Sequence, residues 1–428
     1  MSWTKGGFQR ALIEGAGSRT NPIAGVDGPH RDELSRQVFG ILGIPIDARG
    51  LSLSLRAVET AVENKKTFLL STPNVNFLVC SQVERQFRES LLISDLCPVD
   101  GMPIVWIARL LGVPIKDRVS GVDLFDALKS TDRFDRRFGV FLFGGADEAA
   151  ARVGDGLNAH SRGLKCVGTL NPGFGTVDEM SSDRIIEAMN ESGADILAVF
   201  LSAKKAQAWL LRNHDRIRIP VRAQFGATIN FEAGTINRAP PFLRRAGLEW
   251  LWRIKEEPYL WRRYWKDGKS LLHLLLTGVL PLTVESLWAR LKGVRTSGGL
   301  RIELREDDQS VVVLLCGFAI AVHIDEAINA FREALGREKA IEVDVSKTSM
   351  LDPRFFGLLL MVRKQLHRRG QDLRFIDVTP TIIRVFRRNG FEFLLSNAIG
   401  GMEDPRRTVQ RPQIKQSTPS EDRLGGLT

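Results

Sequence analysis

The stretch Val140-Phe141-Leu142-Phe143-Gly144-Gly145-Ala146-Asp147 decides the fold class. Four apolar residues in a row suit a strand buried on both faces, and the glycine pair closes it before a helix that opens near Asp147. Further short strands are read at Thr67–Ser71, Leu164–Val167, Ile196–Leu201 and Val221–Phe225. Segments with helical spacing lie between them: Val79–Leu92, Met102–Leu111, Asp183–Asn190 and a run through Trp209. A βα pattern is read from Val38 onward. Strands of about five residues alternating with helices imply an α/β fold with a mainly parallel sheet. Ligands of such sheets gather outside the strand carboxyl ends, so the polar clusters after Leu70, Leu96, Phe143 and Phe225 are expected there.

The chain has 428 residues, too many for one compact core and suited to two domains. Its longest apolar run, Leu271–Leu282, contains His273 and Pro281 and is about half a bilayer span. The first residues lack the apolar core of a secretory signal, because Arg10, Glu14, Gly17 and Arg19 interrupt them, so a cytoplasmic location is expected. Cys80, Cys97, Cys166 and Cys316 lie far apart with no CxxC and read as reduced and buried. Six scattered histidines without an HExxH pattern argue against a histidine metal site. The net charge of +10 and pI near 9.6 admit nucleic acid, anionic lipid or an acidic substrate.

Position decides among these. From Leu248 to Leu282, Trp250, Trp252, Tyr259, Trp261, Tyr264 and Trp265 interleave with Arg253, Lys255, Arg262, Arg263 and Lys266, ahead of the apolar run. Rings at headgroup level and cations over anionic lipid make a surface-lying membrane anchor, and the leucine-rich run speaks against nucleic acid. Expected boundaries are a poorly ordered leader over 1–36, an α/β domain over 37–247 and the basic aromatic appendage over 248–291. A linker over 292–299, a second α/β domain over 300–397 and a disordered tail over 398–428 follow. In the second domain Arg301–Arg305 pairs with Val311–Leu315, and Asp352-Pro353 and Thr379-Pro380 each cap a helix.

Four blocks carry a resemblance: Ser71-Thr72-Pro73-Asn74-Val75-Asn76, Pro98-Val99-Asp100-Gly101, Arg118-Val119-Ser120-Gly121-Val122-Asp123, and Asn237-Arg238-Ala239-Pro240 with Gly247-Leu248-Glu249-Trp250. In order and spacing they resemble the WecG/TagA/CpsF family of bacterial glycosyltransferases. That resemblance implies a Rossmann-like domain and inverting transfer of a sugar from a UDP-sugar to a polyprenyl-diphosphate-linked saccharide in surface polysaccharide synthesis. It implies no metal and no cofactor, and a protein peripheral on the inner face of the plasma membrane, with homo-oligomers known among such relatives. Val343-Asp344-Val345-Ser346 through Met350-Leu351-Asp352 to Phe355-Phe356-Gly357 resembles a STAS domain, which implies a protein partner. Pro353 stands where phosphorylated members carry serine, so that switch is not expected here.

On this resemblance Asp100 is the base that takes the acceptor hydroxyl proton, with Thr72 beside it positioning the acceptor. Asn74 and Asn76 suit sugar or phosphate oxygens, against a plain Asx-turn reading. Arg118, Ser120, Gly121 and Asp123 are read either as a ligand-facing helix start or as solvated loop. Gly144 and Gly145 suit a tight turn by a diphosphate, and Arg238, Arg253, Arg262 and Arg263 suit its charge. Two departures stand out. The family's glycine-, proline-, glutamine- and glutamate-bearing block is replaced by Ser202–Trp209, leaving Gln207 as a substrate candidate, and the family aspartate after Phe225-Gly226 is Asn230. They leave open a non-catalytic scaffold that regulates polysaccharide assembly through its STAS-like domain. A dinucleotide oxidoreductase fits the α/β pattern but lacks the glycine fingerprint.

Overall fold

The computed structural model describes residues 32–133, 136–291 and 299–396. The expected linker, tail and most of the leader therefore lie outside the described residues. The expected pattern at Val38 is different: β1 (Val38–Ile41) and β2 (Ile44–Asp47) form an antiparallel hairpin rather than a βα unit. Part of the presumed leader is also structured, since Glu33 and Arg36 are buried.

Strands β3 (Phe68–Leu70), β4 (Phe138–Gly144), β5 (Leu164–Leu170), β6 (Ile196–Phe200) and β7 (Val221–Gln224) form one sheet in the order β3-β7-β6-β4-β5. Every pairing is parallel, as alternating strands and helices require. β4, β6 and β7 are buried at every position, which accounts for the unbroken apolar runs of β4 and β6, while β7 buries Arg222 and Gln224 as well. From β4 the chain passes to β5 on one side and returns to β6 on the other, so the crevice between the β4 and β6 carboxyl ends is a switch point. A parallel bridge from Leu70 to Leu96 carries the segment before Asp100 alongside β3. The expected helix Val79–Leu92 is two, Val75–Val83 and Arg85–Leu92, parted at Glu84, whose backbone is extended.

Beyond β7, a helix Glu249–Glu256 precedes a long helix from Trp261 to Leu291. Its turn Leu275–Val279 is a π-helix just ahead of Pro281. Proline cannot donate to the preceding turn and crowds its carbonyl, and a widened turn relieves both without breaking the helix. None of the described helices is long and apolar enough to cross a membrane.

The terminal domain places β8 (Leu300–Glu306), β9 (Ser310–Ala319), β10 (Ala340–Asp344), β11 (Thr348–Leu351) and β12 (Arg374–Ile376) in one sheet, with β8 antiparallel to β9 as expected. Asp352 accepts the Phe355 amide at 2.9 Å and Thr379 accepts that of Ile382 at 3.4 Å, the two caps read from sequence. The helix Pro353–Arg368 is buried along most of its length. It lies on the β1–β2 hairpin, and Leu34, Val38 and Leu92 join the terminal core. A Cβ at Gly357 would overlap the Val38 carbonyl, so only glycine permits this approach. The two halves therefore share a core. All four cysteines are free, but only Cys80 and Cys97 are buried, whereas Cys166 and Cys316 are half-buried.

Candidate active site

Asp100 follows a segment bound on both sides: its amide donates to the Pro73 carbonyl at 2.9 Å, and the Val119 amide donates to the Val99 carbonyl at 2.8 Å. These bonds bring three of the four sequence blocks to one place. Asp100 is half-buried, and desolvation pushes its carboxyl up to about 7. Arg118 and Arg238 oppose that rise, whereas Glu249 and Asp123 add to it. A carboxyl that half ionises near neutrality suits proton transfer at working pH.

Arg118 and Arg238 rim the site in a chain of ion pairs. Arg118 pairs with Glu249 and lies 3.6 Å from Asp123. Arg238 pairs with Asp123 and reaches Asp126 at 3.3 Å. Lys129 extends the chain to Asp126 at 3.2 Å and Glu232 at 2.6 Å. Ser120 and Asp123 form a capping box on the helix Gly121–Ser130, with the Ser120 hydroxyl donating to Asp123 at 2.6 Å and accepting its amide at 3.1 Å. Their first role is therefore local, to start the helix and hold Arg238. Gly121 packs on Phe225 at the helix start.

The asparagines divide. Asn74 caps the helix Val75–Val83 by accepting the Phe77 amide at 3.2 Å, the Asx reading of its side chain. Asn76 donates to both oxygens of Asp267, at 3.3 and 3.1 Å, and so ties the first block to the long appendage helix. Asp267 is a buried carboxylate between Lys266 and Lys269 whose pKa burial raises. Asp267 through Asn76, and Glu249 through Arg118, thus tie the appendage to two of the sequence blocks. Thr72 is buried beside Ser71 at the end of β3.

Other candidates stand apart. Gln207 is fully buried, and its amide donates to the Ser71 hydroxyl at 3.1 Å, so in this structure it braces the end of β3. Arg253 pairs with Glu257 and stacks over Phe231, while Arg263 lies over Tyr264 in the same group. Arg262 is exposed over Trp261. Gly144 and Gly145 end β4 with positive φ, +94° and +81°, at the switch point. Gly145 abuts Ile229, next to the half-buried Asn230.

Sequence reasoning missed Glu249, Asp267, Asp126, Lys129 and Glu232 as parts of this network. Glu249 was within a quoted block, and Asp267 was a lone acid in a basic stretch. Nothing local marks the other three.

The family described as Glycosyl transferase WecG/TagA/CpsF matches residues 39–282, and a STAS domain family described as Mlab matches 302–396. An N-acetylglucosaminyldiphosphoundecaprenol N-acetyl-beta-D-mannosaminyltransferase of Bacillus spizizenii is 26% identical over 204 residues, 47% of this chain and 76% of its own. The protein of that name in Bacillus subtilis is 23% identical over 216 residues, covering 50% and 81%, and that in Staphylococcus aureus 20% over 225, covering 52% and 85%. With the matching blocks gathered around Asp100, the chain belongs to the WecG/TagA/CpsF glycosyltransferase family and carries a STAS-like domain behind its transferase region.

Proposed function

We propose that this chain is an inverting transferase moving a sugar from a UDP-sugar to a polyprenyl-diphosphate-linked saccharide in bacterial surface polysaccharide assembly. The observation that carries it is Asp100 set near Arg118 and Arg238, with Glu249 of the appendage paired to Arg118 and the Asp100 carboxyl raised by burial to about 7. In this reading the acceptor hydroxyl oxygen attacks the anomeric carbon from the face opposite the nucleotide. The bond from that carbon to the diphosphate breaks, UDP leaves with the electron pair, and Asp100 takes the hydroxyl proton. Arg238 and Arg118 exchange part of their carboxylate pairing for diphosphate oxygens, so the reaction needs no metal. The switch-point turn Gly144-Gly145 supports a Rossmann-like nucleotide site.

In this reading the appendage brings the chemistry to a membrane surface. Trp261, Trp265, Leu272, Leu276 and Leu280 are all exposed on the long helix, with Arg262, Lys266 and Lys269 among them. An apolar stripe of that length, edged by cations, fits the inner surface of an anionic bilayer, where a lipid-linked acceptor resides. The relatives' names make UDP-N-acetylmannosamine and an N-acetylglucosamine diphospholipid the first pair to try.

The test is radiolabelled transfer from a panel of UDP-sugars to polyprenyl-diphosphate-linked mono- and disaccharides, wild type beside Asp100→Asn. Transfer by the wild type alone supports the reading. A folded, membrane-bound wild type that transfers from no donor points instead to a non-catalytic scaffold.

A further inference from the structure

The terminal domain reaches into the transferase half through two buried cations that the transfer chemistry does not use. The first is Lys364, on the helix Pro353–Arg368, only 5% exposed. Its ammonium donates to Asp95 at 2.7 Å and to the Ser94 carbonyl at 3.1 Å, with Glu33 at 3.5 Å. The other oxygen of Asp95 accepts the Leu69 amide at 2.9 Å, and the Asp95 amide donates to the Leu69 carbonyl at 2.7 Å. Asp95 is thus clamped between the terminal domain and β3. A carboxylate at this depth stays charged only while a cation pairs with it.

Five residues later the segment arrives at Asp100, and it is held almost throughout. The Leu96 carbonyl accepts the Ser71 amide at 3.0 Å, Cys97 donates to the Asp47 carboxylate at 2.6 Å, and Asp100 donates to Pro73. Asp47 is in turn gripped by Arg36 through two nitrogens, at 2.8 and 2.6 Å. The second cation enters there: Arg354 donates to the carbonyls of Arg36 at 3.2 Å and Val38 at 3.0 Å. Two struts therefore support the loop bearing Asp100, one ending on Lys364 and the other on Arg354. Each starts in the terminal domain and finishes within a few residues of the carboxyl group.

We propose that Lys364 is a positioning residue for sugar transfer, holding the Asp95–Asp100 segment through Asp95 so that Asp100 meets the acceptor hydroxyl. The STAS-like domain is then a part of the active-site frame within the same chain. The assignment rests on the transferase reading for its kinetic consequence, but its mechanical content is independent of turnover. Displacing a reacting group by an ångström is enough to slow a reaction on the order of a hundredfold, so a loosened strut acts on kcat rather than on binding.

The experiment compares the full-length wild type with Lys364→Met, Lys364→Arg and Phe375→Leu. Phe375 is buried in the terminal core and touches neither strut, so it reports destabilisation alone. Three quantities are measured: kcat and KM for transfer, Tm, and hydrogen exchange of peptides covering 94–101 and 138–144. Lys364→Met is expected to lower kcat about tenfold or more with donor KM little changed. It also speeds exchange at 94–101 and not in β4. Lys364→Arg, which keeps the charge, retains most of the protection, and Phe375→Leu lowers Tm while leaving kcat in place. A Lys364→Met protein with wild-type kcat and wild-type exchange overturns the proposal, as does an equal kcat loss in Phe375→Leu. If the wild type transfers no sugar, the transferase reading fails separately, and exchange at 94–101 alone decides: faster exchange supports the strut, and unchanged exchange overturns it.

Discussion

Arg118 donates to the carboxylate of Glu249, joining the loop beside Asp100 to the first helix of the appendage. The pair has two electrostatic effects on Asp100. Glu249 raises its pKa and Arg118 lowers it, after desolvation has set the main shift. Glu249→Gln removes the repulsion and leaves Arg118 free to attract, so the Asp100 pKa falls. The acidic limb of the kcat/KM–pH profile, expected near pH 7 in the wild type, moves to lower pH in this variant.

Asp100→Asn is expected to lower transfer by about two to four orders of magnitude, the usual contribution of a general base. It should also stabilise the protein. A carboxyl whose folded pKa is raised from 3.8 to about 7 opposes folding wherever it is ionised. That cost is full above pH 7 and vanishes as pH falls below the unfolded value, so the gain appears at pH 8 and is absent at pH 3.5. About 1–3 kcal/mol at pH 8, read from denaturant midpoints, is the expected size after allowing for partial solvent screening.

Arg238 and Arg262 make a contrast in one measurement. Arg238→Met removes one of the two cations beside each of Asp123 and Asp126 and takes away a rim guanidinium, so donor KM rises and kcat falls. Arg262, exposed on the appendage, is expected to leave detergent-phase kcat within about twofold while weakening binding to anionic vesicles. Equal kinetic losses in both would remove the distinction.

The exposed stripe predicts membrane binding directly. Trp265→Ser with Leu272→Ser and Leu276→Ser deletes three apolar anchors, each contributing up to about 1.5–3 kcal/mol when buried. Sedimentation with vesicles containing anionic lipid should fall at least about a hundredfold in affinity while circular dichroism is unchanged. Wild-type binding that persists in the triple variant would place the membrane face elsewhere.

Gly357→Ala inserts a carbon into the Val38 carbonyl, and neither backbone has room to yield. The expected loss is about 2 kcal/mol or more, seen as a single cooperative transition at lower Tm. Removal of residues 300–428 exposes Leu34, Val38 and Leu92, so an insoluble or unfolded fragment is expected instead of a working transferase.

The main sheet was legible because its central strands are buried on both faces: Val140–Phe143 and Ile196–Leu201 carry no polar residue, and such runs have few alternatives. The caps at Asp352 and Thr379 were equally legible, since a cap is a contact within four residues. The hairpin at Val38 was not. Apart from Asp47 its strands are apolar because one face is covered by a helix more than 300 residues away, and no local period records that. The site divides likewise. Asp100, Arg118 and Arg238 were marked by residue type and family blocks, whereas the contacts of Glu249 with Arg118 and of Asp267 with Asn76 follow from appendage helices that pack back on those blocks. The contact of Gln207 with Ser71 was not legible for the same reason: an amide in a helix looks the same in sequence whatever it faces.

By itself the sequence determined the α/β class, the transferase blocks, the basic aromatic appendage and the small terminal domain, because each is written in periods and caps a few residues long. Only the tertiary structure decided that the terminal domain is packed into the frame of the site. Lys364 finds Asp95 across 269 positions of chain, and that pairing arises from the burial of two unlike charges together, a condition set by the packed core and by no local pattern.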